Sequence, residues 1–207
     1  MDNNLIISIG RQFGAGGRGV GKLLAQKLGI EYFDKELITL AAQEFGFDSE
    51  LLEKADEKSS PISGNILQWI ESIIPGEFFT KNYLSSDTLF EIQSNAIRKL
   101  AEERSCVIVG RCSDYVLRNN PNCISIFLHS TEEDRVQRIC ERSGMSQQDA
   151  LNQIHTEDRR RAAYYNFYSD KTWGDAATYS LCIDVSKVGI EGATEMTIEY
   201  LKKAHKL

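Results

Sequence analysis

At 207 residues, 42% hydrophobic and 26% charged, the chain is long enough for one sizeable core and has the composition of an ordinary globular domain. A formal net charge of −6 argues against a nucleic-acid polymer or an anionic membrane as partner, but a compact basic patch could still bind a small anion. No apolar run approaches the roughly 18 residues of a membrane span, and "MDNN" lacks the basic region of an export signal. The expected location is therefore the cytoplasm. Five cysteines (Cys106, Cys112, Cys123, Cys140 and Cys182) without C-x-x-C spacing predict reduced thiols, neither a disulfide framework nor a zinc site.

In chain order, Leu5 to Ile9 ("LIISI") is a β-branched, continuous apolar run, the pattern of a strand covered on both faces. Five glycines follow between Gly14 and Gly21; Val20, Leu23, Leu24 and Leu28 then repeat at helical spacing, with Gly29 as a stop. "IEYF" supplies a second strand. Residues 35–104 read as a helical insertion punctuated by Pro61 and Pro75, without a strand pattern. "CVIVG" and "CISIFLH" are buried-strand runs. A helix opens at "STEEDRVQRICERS", with Ser130 or Thr131 as cap and acids in its first turn. "SQQDALNQIHTEDRRRAAYYNFY" predicts another helix, "YSLCIDVS" a last strand and "EGATEMTIEYLKKAHK" a last helix. Five strands separated by helices predict a single three-layer α/β/α domain over 1–207, built around a five-stranded parallel sheet.

The stretch "GRQFGAGGRGVGK" joins a buried strand directly to a helix. Glycines there let backbone amides converge on an anion, and the dipole of the helix start favours negative charge at the same place. The generic phosphate-binding pattern G-x-x-x-x-G-K-[ST] adds a lysine for the transferring phosphate and a hydroxyl for Mg²⁺. Read literally, Gly16 to Lys22 spells its first seven positions, but Leu23 stands where the hydroxyl belongs and the helix would keep about two turns. A helix starting near Gly17 or Arg18 gains a turn and places Val20 on its apolar face. In that frame Lys22 lies a full turn into the helix, too deep for the loop centre.

In this frame "GAGGRGVGKLLAQKLGIEYFD" resembles the loop, helix and Y-x-D of bacterial cytidylate kinases, and more closely the cytidylate kinase-like proteins whose loop reads roughly S-R-E-x-G-S-G-G-R-x-[IV]-G. "VIVGRCSDYVL", "FLHSTEEDRVQRI" and "LCIDVS" are similar to three further segments of those kinases, in the same order. The resemblance implies a P-loop NTPase fold with a helical acceptor-binding insertion over 35–104 and a lid over 144–178. It also implies transfer of the γ-phosphoryl of ATP, with Mg²⁺, to a nucleoside monophosphate such as CMP or dCMP. Gly14, Ala15, Gly16, Gly17 and Gly19 would form the cradle. The loop departs from the pattern at three places: Arg11 replaces the first glycine, Gly17 the lysine and Arg18 the hydroxyl residue. Arg18, with Arg11, is the expected source of the missing charge, because guanidinium binds phosphate oxygens in a bidentate fork.

Phosphoryl transfer depends on charge neutralisation and positioning, so arginines on other elements are the remaining candidates. Arg159, Arg160 and Arg161 fall in the part that resembles the lid. Three consecutive residues spread about 200° around a helix and cannot all face the donor. Arg111 follows "CVIVG" at the sheet edge where ligands sit in open α/β folds. By resemblance Arg111 and Asp114 would contact the acceptor, although Cys112 and Ser113 separate them where the family has adjacent residues. Asp34, also at a strand end, would orient the acceptor or hold Mg²⁺ through water, and is equally a helix N-cap. Arg135 and Arg138 suit surface pairing as well as a base- or lid-facing role. No set of protein ligands for a metal is apparent. Two other readings stay open: a kinase for another small metabolite, and a module that binds nucleotide without turnover.

Overall fold

The computed structural model describes residues 4–35 and 86–207. The predicted insertion over 35–104 therefore lies mostly outside the described residues. Five strands, β1 (Ile6–Arg11), β2 (Glu31–Phe33), β3 (Cys106–Val109), β4 (Cys123–His129) and β5 (Leu181–Asp184), form one parallel sheet in the order β2-β3-β1-β4-β5. Helices cover both faces, as the apolar runs required. Ile7, Ile9, Val107, Val109, Ile126 and Leu128 pack against Val20 and Leu24 of α1 (Gly17–Leu28) and Ala193 and Leu201 of a C-terminal helix. On the opposite face Ile6, Cys106 and Ile108 meet Ile92, Ala96 and Ile97 of α2 (Ser86–Glu103). A fully buried isoleucine or leucine contributes roughly 1.5–3 kcal/mol, so these alternating rows fix which side of each strand faces which helix.

α1 begins at Gly17, the frame that Val20 demanded: Val20 is fully buried, and Gly29 closes the helix in the left-handed conformation at φ 64°. β1 continues two residues beyond the apolar run, because Gly10 and Arg11 pair with Phe127 and Leu128 of β4. A short helix that the sequence pattern did not announce, α3 (Ser113–Val116), follows β3. α4 (Glu132–Ser143) is capped by Thr131, whose hydroxyl accepts from the Asp134 amide at 3.3 Å. α5 (Gln147–Ser169) is capped by Ser146, which accepts from the Asp149 amide at 3.1 Å. The last helix, α6 (Val185–Lys203), starts about six residues earlier than its apolar pattern suggests. Asp184 caps it by accepting from the Ser186 amide at 3.0 Å, and Gly189 (φ 69°, ψ −177°) breaks it after its first turn. That break brings Ile190 against Gly16 and Gly19 at the head of α1.

Candidate phosphate-binding site

The site is built at the carboxyl end of the sheet, where β1 leads into α1. Gly14 (φ 80°) and Gly16 (φ 82°) take the left-handed turns that bring the chain round, a conformation costing most other residues about 1 kcal/mol or more. α4 and α5 carry a hydroxyl cap and acids in the first turn, whereas α1 has neither. Its leading amides and positive dipole end therefore have no side-chain cap among the described residues.

Other groups of the loop are taken up from outside. Arg138 Nη1 donates to the Gly14 carbonyl at 2.6 Å, and Arg135 Nη1 to the Phe13 carbonyl at 3.4 Å. The Phe13 amide donates to Asp158 Oδ1 at 2.7 Å, and the Ser130 amide donates to Gln12 Oε1 at 3.1 Å. Arg138 is itself held by Asp134 at 2.8 Å. α4 and α5 thus clamp the loop's back, so Arg135 and Arg138 act as braces for it. Gly14→Ala is expected to break this clamp: a Cβ would sit 3.1 Å from Arg135 Cβ, on a backbone that disfavours any side chain. The predicted cost is about 1–3 kcal/mol, read by urea unfolding.

Four arginines face the loop from four elements: Arg11 at the end of β1, Arg18 in α1, Arg111 after β3 and Arg161 in α5. Arg161 Nη1 donates to the Arg11 carbonyl at 3.0 Å and its guanidinium lies over the Phe13 ring at 5.3 Å. Burial lowers the proton affinity of Arg161; the negative charges of Asp158 and Glu157 oppose this, and the positive charges of Arg18 and Arg111 add to it. Arg11 is drawn down from its ordinary value to about 9, first by burial and then by Arg161, Arg111 and Arg18. It stays charged at neutral pH. Arg18 Nε lies 3.7 Å from Asp34, which also accepts from the Tyr32 hydroxyl at 3.3 Å. Burial, with the Asp34 charge and hydrogen bond, pushes Tyr32 up to about 12. Of the three consecutive arginines, Arg161 alone enters this group. Arg160 pairs with Glu157 at 3.1 Å and Arg159 donates to the His155 carbonyl at 3.2 Å, both at exposed positions. Lys22 is exposed and lies over the Tyr32 ring, away from the loop centre.

Beside this group the chain leaves β3 through three successive residues with positive φ, Gly110 (88°), Arg111 (61°) and Cys112 (52°). The turn carries Arg111 over the ring of Tyr164, 5.5 Å from its centroid. Tyr164 belongs to an aromatic group in which Phe90 stacks on Tyr168 at 3.9 Å and 9°. Asp114 does not point freely at a ligand: the Tyr165 hydroxyl donates to it at 2.6 Å, and burial raises its proton affinity. Trp173 of "KTWGD" packs edge-on against Phe127. α2 ends three residues before β3 begins, so its first turns lie at the same sheet edge as Arg111. Farther along α2, Gln93 is 2% exposed, and its Oε1 has no hydrogen-bond partner among the described residues.

Sequence reasoning did not find Asp158 or Gln93. Asp158 acts on a loop 145 positions away, and a glutamine within an amphipathic helix carries no signal of its own. Among the described residues no three His, Cys, Asp or Glu side chains group to hold a metal by themselves. Magnesium in phosphate sites is held mainly by phosphate oxygens, water and one or two carboxylates. Asp34 fits that modest requirement.

The comparisons with known proteins agree with this architecture. The model of a family described as "Cytidylate kinase-like family" matches residues 6–187. A cytidylate kinase of Pyrobaculum aerophilum is 26% identical over 111 residues, which are 53% of this chain. The match spans 59% of that relative, less than two thirds of its length. A crystal structure from Eubacterium ventriosum superposes with a TM-score of 0.72 at 33% identity, covering 96% of this chain and 99% of the other. A shikimate kinase of Bacteroides thetaiotaomicron (TM-score 0.53; 96% of this chain, 98% of the other) and a gluconokinase of Sinorhizobium meliloti (0.54; 99% and 95%) are each 15% identical and share the fold.

Proposed function

The chain belongs to the cytidylate kinase-like family, and from that premise we propose that it transfers the γ-phosphoryl group of ATP to a nucleoside monophosphate, CMP or dCMP foremost. The observation that carries the proposal is the convergence of Arg11, Arg18, Arg111 and Arg161 on the uncapped head of α1. Four guanidinium groups held together repel one another, and a triphosphate is the complementary ligand. The amides of the Gly14–Gly19 cradle would hold the donor phosphates. Arg111, at the mouth of the aromatic group, would bind the acceptor phosphate, and Arg161 would meet the transferred group from α5. Such preorganised charge is the main contribution a protein makes to phosphoryl transfer. Bound Mg²⁺, which Asp34 would help to hold, would supply further neutralisation.

A second reading keeps the donor site and changes the acceptor to another small metabolite. It is favoured by the altered G-R-C-S-D spacing and by the commitment of Asp114 to Tyr165. Folds like this one also serve a shikimate kinase and a gluconokinase. Purified protein incubated with ATP and Mg²⁺ and a panel of nucleotide, sugar and acid acceptors separates the readings. Release of ADP that depends on CMP or dCMP is the expected result. Turnover confined to a non-nucleotide acceptor selects the second reading, and tight ATP binding without product leaves a nucleotide-binding module. In the first case Gln93→Leu is expected to raise the acceptor KM roughly tenfold with kcat little changed, because a donor on the bound acceptor would lose the buried carbonyl that accepts from it. Folding should be unharmed, since that carbonyl has no partner among the described residues.

A further inference from the structure

The donor-site reading above leaves open which group replaces the lysine missing from the loop. Two departures from G-x-x-x-x-G-K occur together: Arg11 stands at the first glycine and Gly17 at the lysine. In the fold they form one feature. Arg11 is the last residue of β1 and Gly17 the first of α1, and the Arg11 side chain runs directly across Gly17. A Cβ at position 17 would lie 2.8 Å from Arg11 Cγ and 3.1 Å from its Cβ. Farther along, the guanidinium rests on Gly110, where a Cβ would fall 2.1 Å from Nη1. A side chain at either glycine would displace it. Both glycines are thus the room that Arg11 needs.

We infer that Arg11 is the catalytic cation of the donor site, its stem filling the space from which a lysine at position 17 would start and its guanidinium binding oxygens of the transferring phosphoryl group. Its surroundings favour this assignment over Arg18. Arg18 leans toward Asp34, and 58% of its side chain is exposed. No carboxylate among the described residues pairs with Arg11, whose charge feels Arg161, Arg111 and Arg18. A half-buried cation held among three others, beside a helix start that no described side chain caps, is suited to bind an anion. Its planar fork also suits a phosphate bearing several equivalent oxygens.

The test exchanges the two positions. Wild-type protein is first titrated with ATP and Mg²⁺; no uptake there overturns the donor-site reading and this inference together. Arg11→Gly is then expected to weaken ATP binding about 10- to 100-fold, the worth of a charge-assisted hydrogen bond. Arg11→Met, which keeps a side chain across Gly17 but removes the charge, should lose as much while retaining a native circular dichroism spectrum. The double variant Arg11→Gly/Gly17→Lys completes G-x-x-x-x-G-K over positions 11 to 17 and should regain at least about tenfold over Arg11→Gly. Gly17→Lys alone, with Arg11 in its way, should bind more weakly than wild type. Uptake by the wild type that survives Arg11→Gly and Arg11→Met overturns this inference alone, as does a folded double variant that regains nothing. Should the double variant fail to fold, Arg11→Met decides by the same criterion.

Discussion

Replacing Asp158 with alanine is expected to destabilise the protein by about 3–5 kcal/mol, the largest stability loss predicted for a single side chain here. Asp158 Oδ2 accepts from Arg135 Nη1 at 2.5 Å, and Oδ1 accepts from the Phe13 amide at 2.7 Å. The Arg135 side chain is 8% exposed and that of Asp158 16%. Removing the carboxylate leaves a buried guanidinium without a counter-charge and a loop amide without an acceptor. Urea unfolding of Asp158→Ala measures the loss. Removing both charges with Asp158→Leu/Arg135→Met should restore most of it, because an apolar pair of similar volume avoids the desolvation cost of two buried ions. Nucleotide affinity should stay low in the double variant, since the loop has lost two of its braces. A single-variant loss below about 1 kcal/mol would show that the pair behaves as a solvated surface bridge instead.

Arg111→Gly should produce the opposite combination, a protein that is more stable and inactive. Arg111 and Cys112 hold left-handed backbone conformations directly after Gly110. Such a residue costs about 1–2 kcal/mol relative to an unstrained one, and glycine adopts the conformation freely. Glycine gives back about 0.4–1 kcal/mol through the greater freedom of the unfolded chain, so the net gain should be about 0.5–1 kcal/mol. Turnover should fall about 100- to 1000-fold, as for other donors aimed at a developing charge. Thermal unfolding and steady-state kinetics on the same preparation read both effects. The sign of the stability change is the diagnostic: a packing residue loses stability when truncated, and a residue held in strain for binding gains it. A fall in stability with turnover unchanged would remove Arg111 from the site.

Much of the architecture was legible because it depends on local pattern. Ile7 and Ile9 alternate with residues of the opposite face, and "CISIFLH" coincides with β4 residue for residue. The start of α1 followed from the position of Val20, and the acids after a cap at Ser130 or Thr131 marked α4, where the structure uses Thr131. The site was legible at the level of residue type, and less so in direction. A run of three arginines announces a basic helix, yet only the docking of α5 against the loop decides that Arg161 turns inward while Arg159 and Arg160 stay outside. The path of Arg11 was hidden for a similar reason: it is set by a gap at Gly110, about a hundred positions away in the chain. Asp158, placed beside three arginines, reads as local charge balance. Its partners turned out to be Phe13 and Arg135, which only the packing of α4, α5 and the loop brings together.

The strand order has a consequence for how the protein is made. β1 lies at the centre of the sheet, and its two neighbours are β3 and β4, so Ile6 pairs with Cys106 and Cys123. At about 5–20 residues per second, a ribosome needs roughly 5–20 s to supply the first of those partners. Until then the emerging "LIISI" segment, apolar and free of charge or proline, carries two unsatisfied edges of the kind that associate with other nascent chains. Shielding that segment during synthesis should favour native folding, and the yield of native protein is expected to rise when a chaperone is supplied.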